Sequence, residues 1–211
     1  MRVLVGCEQS AVVAQAFRDA GHDAWSCDVL PSTLCDESCP TQGACNAHGH
    51  YRGDVRDLLT PGAWDLGIFF PPCTYLCSSG LHWNKRVKGR EAKTREALEL
   101  VRDLMDAPIP RIALENPVGR IGTAIRKADQ TIHPWMFGHD ASKATCLWLK
   151  GLPTLKPGRL VAPRIVNGKK RWANQTDSGQ NRLGPSVDRA AIRGRTYEGI
   201  ARAMADQWSE F

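Results

Sequence analysis

Nothing in the 211 residues approaches the run of roughly 20 apolar side chains that a membrane-spanning helix needs. The first residues read as a strand rather than a signal peptide, so the expectation is a soluble, cytoplasmic protein. No internal repeat or low-complexity tract is present, which excludes repeat architectures. The glycine fingerprint of dinucleotide-binding folds is missing too: the first loop reads Gly6-Cys7-Glu8-Gln9-Ser10-Ala11. Acidic residues are scarce in one region. Between Lys143 and Arg195 the only ones are Asp177 and Asp188, against a dense series of lysines and arginines. With a formal charge of +6 overall, that stretch favours a polyanion such as nucleic acid; a solvated basic surface is the plain alternative. Cysteine is not scarce. Eight cysteines in a reducing compartment point to metal binding or catalysis before disulfides.

What is there reads as one α/β domain. Arg2 to Gly6 is a buried strand, Ala11 to Ala20 a helix stopped by Gly21, and Ala24 to Asp28 a second strand ending in a carboxylate. That strand–turn–helix–strand pattern is the nucleotide-binding one, with Asp28 where a ribose hydroxyl would be held. Residues 31 to 49 look irregular. Trp64 to Phe70 and Pro110 to Leu114 read as further buried strands, Arg90 to Met105 as an amphipathic helix, Thr131 to Phe137 and Ala144 to Leu149 as late strands, and Tyr197 to Trp208 as a terminal helix. The expected fold is a mostly parallel sheet with helices on both faces.

Two short segments follow buried strands: Pro71-Pro72-Cys73-Thr74-Tyr75 and Leu114-Glu115-Asn116-Pro117. Ligands bind at the carboxyl ends of strands in a parallel sheet, so a thiol and a carboxylate should face one pocket. A thiol suits covalent attack on an electrophilic ring, and a nearby acid suits its protonation. A buried structural cysteine is the alternative for Cys73.

These segments resemble the proline-cysteine and glutamate-asparagine motifs of DNA cytosine-5 methyltransferases, and the chain looks similar to compact phage-encoded members of that superfamily. Other elements fall in the same order. The resemblance implies a Rossmann-like, S-adenosylmethionine-dependent fold over residues 1–149 and 195–211, expressed in phage or host cytosol. It implies a cofactor site built from Cys7, Glu8, Gln9, Ser10, Ala11, Asp28, Asp54, Val55, Pro71 and Thr196. Phe137-Gly138-His139 through Lys143-Ala144-Thr145 resembles a late basic motif, with Lys143 in place of an arginine; Arg195 to Ile200 resembles the element that closes the cofactor pocket. Cys73 would be the nucleophile on carbon 6 of a flipped-out cytosine in DNA. Glu115 would engage ring nitrogen 3, Asn116 would orient the loop, and Lys143 would hold the base or a phosphate. The family's large target-recognition domain is absent, with 150–194 as a small basic insertion in its place, so phosphate contacts should dominate over sequence readout.

Cys35, Cys39, Cys45 and His48, with His50 just beyond, could close a tetrahedral zinc site in a Cys/His-rich loop spanning 31–50; a flexible loop with free thiols is the alternative. For nucleic acid, Trp83 with Lys85, and Trp172 beside Lys169, Lys170 and Arg171, are candidates for stacking on a base or meeting the backbone, against core packing for either tryptophan. Rival readings are the same fold acting on a free pyrimidine nucleotide or RNA, the use of an altered donor, and a non-catalytic nucleic-acid-binding protein.

Overall fold

The computed structural model describes residues 1–210. The chain opens with β1 (Arg2–Gly6), α1 (Val12–Asp19) and β2 (Asp23–Asp28). Two short strands follow, β3 (Gly43–Cys45) and β4 (His50–Arg52), then a 3₁₀ turn at Val55–Leu58 and β5 (Leu66–Phe69). After β5 come α2 (Ser78–Leu81), a 3₁₀ turn at His82–Lys85, α3 (Arg90–Met105), β6 (Arg111–Pro117), α4 (Ile121–Ala124) and β7 (Gln130–Ile132). The remainder is β8 (Thr145–Lys150), β9 (Arg164–Val166), β10 (Lys169–Arg171), α5 (Arg189–Gly194) and α6 (Glu198–Trp208).

Eight strands form one sheet in the order β3-β4-β2-β1-β5-β6-β8-β7. The block β4-β2-β1-β5-β6 is parallel throughout. The edge strands depart from it: β3 runs antiparallel to β4, and β8 runs antiparallel to both β6 and β7. The fold is therefore α/β with a mostly parallel sheet. The chain leaves β1 toward β2 on one side and places β5 on the other, so the strand order reverses between β1 and β5; this is the crevice where such sheets bind ligands.

Alternation along β1 sends Val3 and Val5 to one face and Leu4 to the other. The first face is covered by α1 and α6 through Val13, Phe17, Ile200, Met204 and Trp208. The second is covered by α3 through Leu98, Val101 and Leu104. Both faces of the central strands are buried, which is why they read as unbroken apolar runs. Among the described residues no helix is long and apolar enough to cross a membrane.

Three expectations need correction. Residues 31–49 are not wholly irregular, since β3 pairs with β4 at the sheet edge. The segment expected as a strand over 131–137 is a strand only to Ile132; Pro134 then starts a 3₁₀ turn, because proline has no N–H to give a sheet ladder. Residues 150–194 contain a β9–β10 hairpin, closed by Asn167 and Gly168 at φ 50° and 74°. Positive φ at both central residues is the two-residue turn that matches strand twist.

Candidate active site

Strand β6 continues through the glutamate-asparagine pair rather than ending before it. Successive strand residues point to opposite faces, so Glu115 and Asn116 are separated by the sheet itself. Asn116 is fully buried on the α3 face, and its Nδ2 donates to the Pro71 carbonyl at 2.7 Å. That bond ties β6 to the loop carrying Cys73. The segments beyond are laced together as well. Ser78 N–H donates to Val118 O at 3.0 Å and Arg120 N–H to Leu76 O at 2.7 Å, with Cys77 and Gly119 bridged antiparallel. A Cβ on Gly119 would lie 2.0 Å from Leu76 O, so only glycine permits this approach.

The Cys73 loop is held from the α3 side too. Arg90 donates to Thr74 O at 2.9 Å and lies 4.8 Å over the Tyr75 ring; the Thr94 hydroxyl donates to Tyr75 O at 3.1 Å. Cys73 itself is exposed at the loop surface, yet the surrounding protein pushes its thiol up. The charges of Cys77 and Glu115 push the same way, and Lys143 opposes them. Burial raises the Glu115 carboxyl, while Lys143 and the Thr145 hydroxyl draw it back. Cys73, Glu115 and Lys143 thus lie within electrostatic reach of one another, at the carboxyl ends of β5 and β6 and the entry to β8. The Lys143 ammonium also donates to Arg193 O at 2.9 Å, tying this corner to α5.

The β1–α1 loop lies alongside. Phe70 N–H donates to Gly6 O at 3.0 Å, joining the ends of β1 and β5. Cys7 and Ala11 both take left-handed backbone conformations, φ 58° and 56°, where non-glycine residues are strained by roughly 1–2 kcal/mol each. Such strain persists where the surroundings over-determine it, as at ligand clamps. Glu8 is turned inward: it is 4% exposed and accepts from Val13 N–H at 2.7 Å and Ala14 N–H at 3.2 Å. Its carboxylate caps α1 instead of facing a cofactor, and burial raises its pKa to about 7 despite these bonds. Asp28 stands at the end of β2, with Oδ1 taking Leu30 N–H at 2.9 Å and burial raising its pKa. Burial, Asp28 and Asp54 together push the Cys7 thiol up to about 12. Asp54 caps the 3₁₀ turn after β4 and holds Arg56 in a fork, both oxygens within 3.0 Å of Nε; Val55 behind it is buried. Pro71 is buried and Thr196 half-buried. The late motifs meet: Gly199 N–H donates to His139 Nε2 at 2.9 Å, and a Cβ on Gly199 would lie 1.9 Å from Phe137 O.

Two groups of expected residues behave differently. The sulfurs of Cys35, Cys39 and Cys45 lie within 4.8 Å of one another, but His48 does not join them; it lines a cleft with Arg18 and Trp25. His50 is also excluded, since one ring nitrogen meets Ser26 Oγ at 2.8 Å and the other Leu30 O at 3.1 Å. Trp172 is not free to stack on a base. It is 9% exposed and stacks on Trp135 at 5.5 Å, and Trp135 in turn stacks with His133 at 5.8 Å. This ladder pins the hairpin to the domain, and it shields the ring from solvent. Arg171 is engaged too, its Nε donating to Asp177 O at 3.0 Å. Lys169 and Lys170 remain exposed, as do Lys85 and the Trp83 ring beneath Arg86. The hairpin that presents the two lysines escaped the sequence reading, although Asn167-Gly168 was its signal.

No protein-family model matches the chain, and no curated protein is significantly similar to it.

Proposed function

We propose that the chain is an S-adenosylmethionine-dependent enzyme of Rossmann-like fold that methylates carbon 5 of cytosine in DNA. The observation that carries this reading is the shared electrostatic neighbourhood of Cys73, Glu115 and Lys143 at adjacent strand ends, beside a strained β1–α1 loop at the point where strand order reverses.

The cofactor fits the residues present. The left-handed Cys7 and Ala11 hold the loop in the conformation that glycines give elsewhere, and Asp28 offers an acceptor for ribose hydroxyls. Gln9, Ser10, Pro71 and Thr196 are the remaining candidates for contacts with it. S-adenosylmethionine, when bound, supplies an electrophilic methyl group.

The chain's own residues do the rest. Lys143 favours the Cys73 thiolate, which adds to carbon 6 of the cytosine ring. Glu115, whose carboxyl is raised by burial, donates its proton to ring nitrogen 3, so negative charge does not accumulate on the ring. Carbon 5 is then nucleophilic. After methyl transfer the carbon-5 proton passes to water, Cys73 leaves as its thiolate, and the nitrogen-3 proton returns to the Glu115 carboxylate, restoring the aromatic ring. Asn116, on the other side of the sheet, positions the Cys73 loop without touching the substrate. The exposed Lys169, Lys170 and Lys85 suit phosphate contacts, and Trp83, about half exposed beside His82 and Arg86, is an aromatic ring that a base could meet.

Incubation with DNA and methyl-labelled donor, followed by digestion and nucleoside mass spectrometry, tests the proposal. It predicts 5-methyldeoxycytidine. Label on a ring-external nitrogen, label only in free nucleotides or RNA, or no label in any of them contradicts it.

A further inference from the structure

The segment between β2 and β4 has little apolar material to order it, yet three of its thiols converge. Cys35 sits on a turn closed by its own N–H to Ser32 O at 3.0 Å. Cys39 follows a turn in which Asp36 Oδ1 accepts from Ser38 N–H at 2.9 Å, and Cys45 closes β3 in a buried position. The Cys39 and Cys45 sulfurs are 3.2 Å apart, and all three lie within 4.8 Å of one another. Three sulfurs bound to one tetrahedral zinc at about 2.3 Å stand about 3.8 Å apart, so a single ion fits with small side-chain adjustments. Disulfide pairing would leave one of the three unmatched.

The same segment reaches the β1–α1 loop. Thr33 N–H donates to Gln9 O at 3.0 Å and the Thr33 hydroxyl to Ser10 O at 3.2 Å. Leu34, next to Cys35, lines a cleft with Ser10, Ala11 and Gln15. Whatever fixes Cys35 therefore fixes Thr33, and through it the strained loop.

We infer that Cys35, Cys39 and Cys45 bind one zinc ion as three thiolates, with water in the fourth position, and that the ion braces the Cys7–Ala11 loop through Thr33. Binding releases the three thiol protons to solvent. The metal assignment is independent of the proposed methyltransferase activity; only the consequence for a donor rests on that reading.

Native mass spectrometry and elemental analysis of the reduced full chain should find about one zinc per molecule. Cys35→Ser, Cys39→Ser and Cys45→Ser should each lose it, and His48→Ala should keep it. Cobalt substitution should give thiolate-to-cobalt absorption and the visible bands of a tetrahedral ion. Chelation should leave the sheet folded by circular dichroism while hydrogen exchange over residues 7–13 speeds up about tenfold. A metal-free protein, a Cys39–Cys45 disulfide as the stable form, or zinc retained by Cys35→Ser overturns the site. Unchanged exchange after zinc is stripped overturns the bracing. If chelation speeds exchange but S-adenosylhomocysteine binds neither form, the donor reading fails and the metal site stands.

Discussion

The Asn116 side-chain amide donates to the Pro71 carbonyl across 2.7 Å, joining β6 to the loop of the candidate nucleophile from beneath the sheet. Its neighbour Glu115 points the other way. One dipeptide thus supplies the candidate acid above and a brace below, and the alternation of a strand is sufficient to produce the division.

Removing the brace separates the two roles. Asn116→Ala leaves the buried Pro71 carbonyl unpaired, at about 1–3 kcal/mol. Turnover should fall by a larger factor than S-adenosylhomocysteine affinity, since Cys73 rides on the freed loop whereas the β1–α1 loop is untouched. Denaturant titration, calorimetry and steady-state rates check the three parts.

Electrostatics at Cys73 can be read without substrate. Glu115 raises its thiol pKa and Lys143 lowers it. The pH profile of Cys73 alkylation by iodoacetamide, followed by peptide mass spectrometry, should move to higher pH in Lys143→Gln and to lower pH in Glu115→Gln. Coincident profiles would separate these side chains from the thiol.

Burial raises the Glu115 carboxyl above its ordinary value, so the folded state holds a proton that the unfolded chain has already lost. Its contribution to stability is complete below the ordinary carboxylate pKa. It declines as pH rises toward the raised value, at up to about 1.4 kcal/mol per pH unit. Glu115→Gln should therefore be inactive but more stable than wild type at pH 8, with the difference closing toward pH 4. Urea titrations across that range measure it.

Glu8 caps α1 from three positions before the helix's own N-cap residue, Ala11. Glu8→Ala strands two buried N–H groups and should cost about 2–4 kcal/mol. Cofactor affinity should drop with it, because the same loop carries Cys7 and Ala11. Thermal unfolding and calorimetry report both effects.

Much of this architecture was legible because period and burial agree. The apolar runs of β1 and β5 pack on both faces, and the α3 and α6 stripes each meet one face of the sheet. The extent of β6 was not legible: Glu115 and Asn116 are polar, and their ladder comes from β8, far along the chain. Strands β3 and β4 are three residues each, too short for any periodicity to form. At the site, the proline-cysteine and glutamate-asparagine segments could be placed from their strand ends. The inward turn of Glu8 could not, since a capping carboxylate and a ligand-facing one look alike in sequence. Trp172 failed similarly, because its partner Trp135 lies 37 positions earlier.

The central claim is that Cys73 bonds to the ring it activates. A DNA duplex carrying 5-fluorocytosine, incubated with the protein and S-adenosylmethionine, should trap a stable adduct whose peptide maps to Cys73. Cytosine methylated at carbon 5 by Cys73→Ala at the wild-type rate, or an adduct on Cys77 or another thiol, would contradict it.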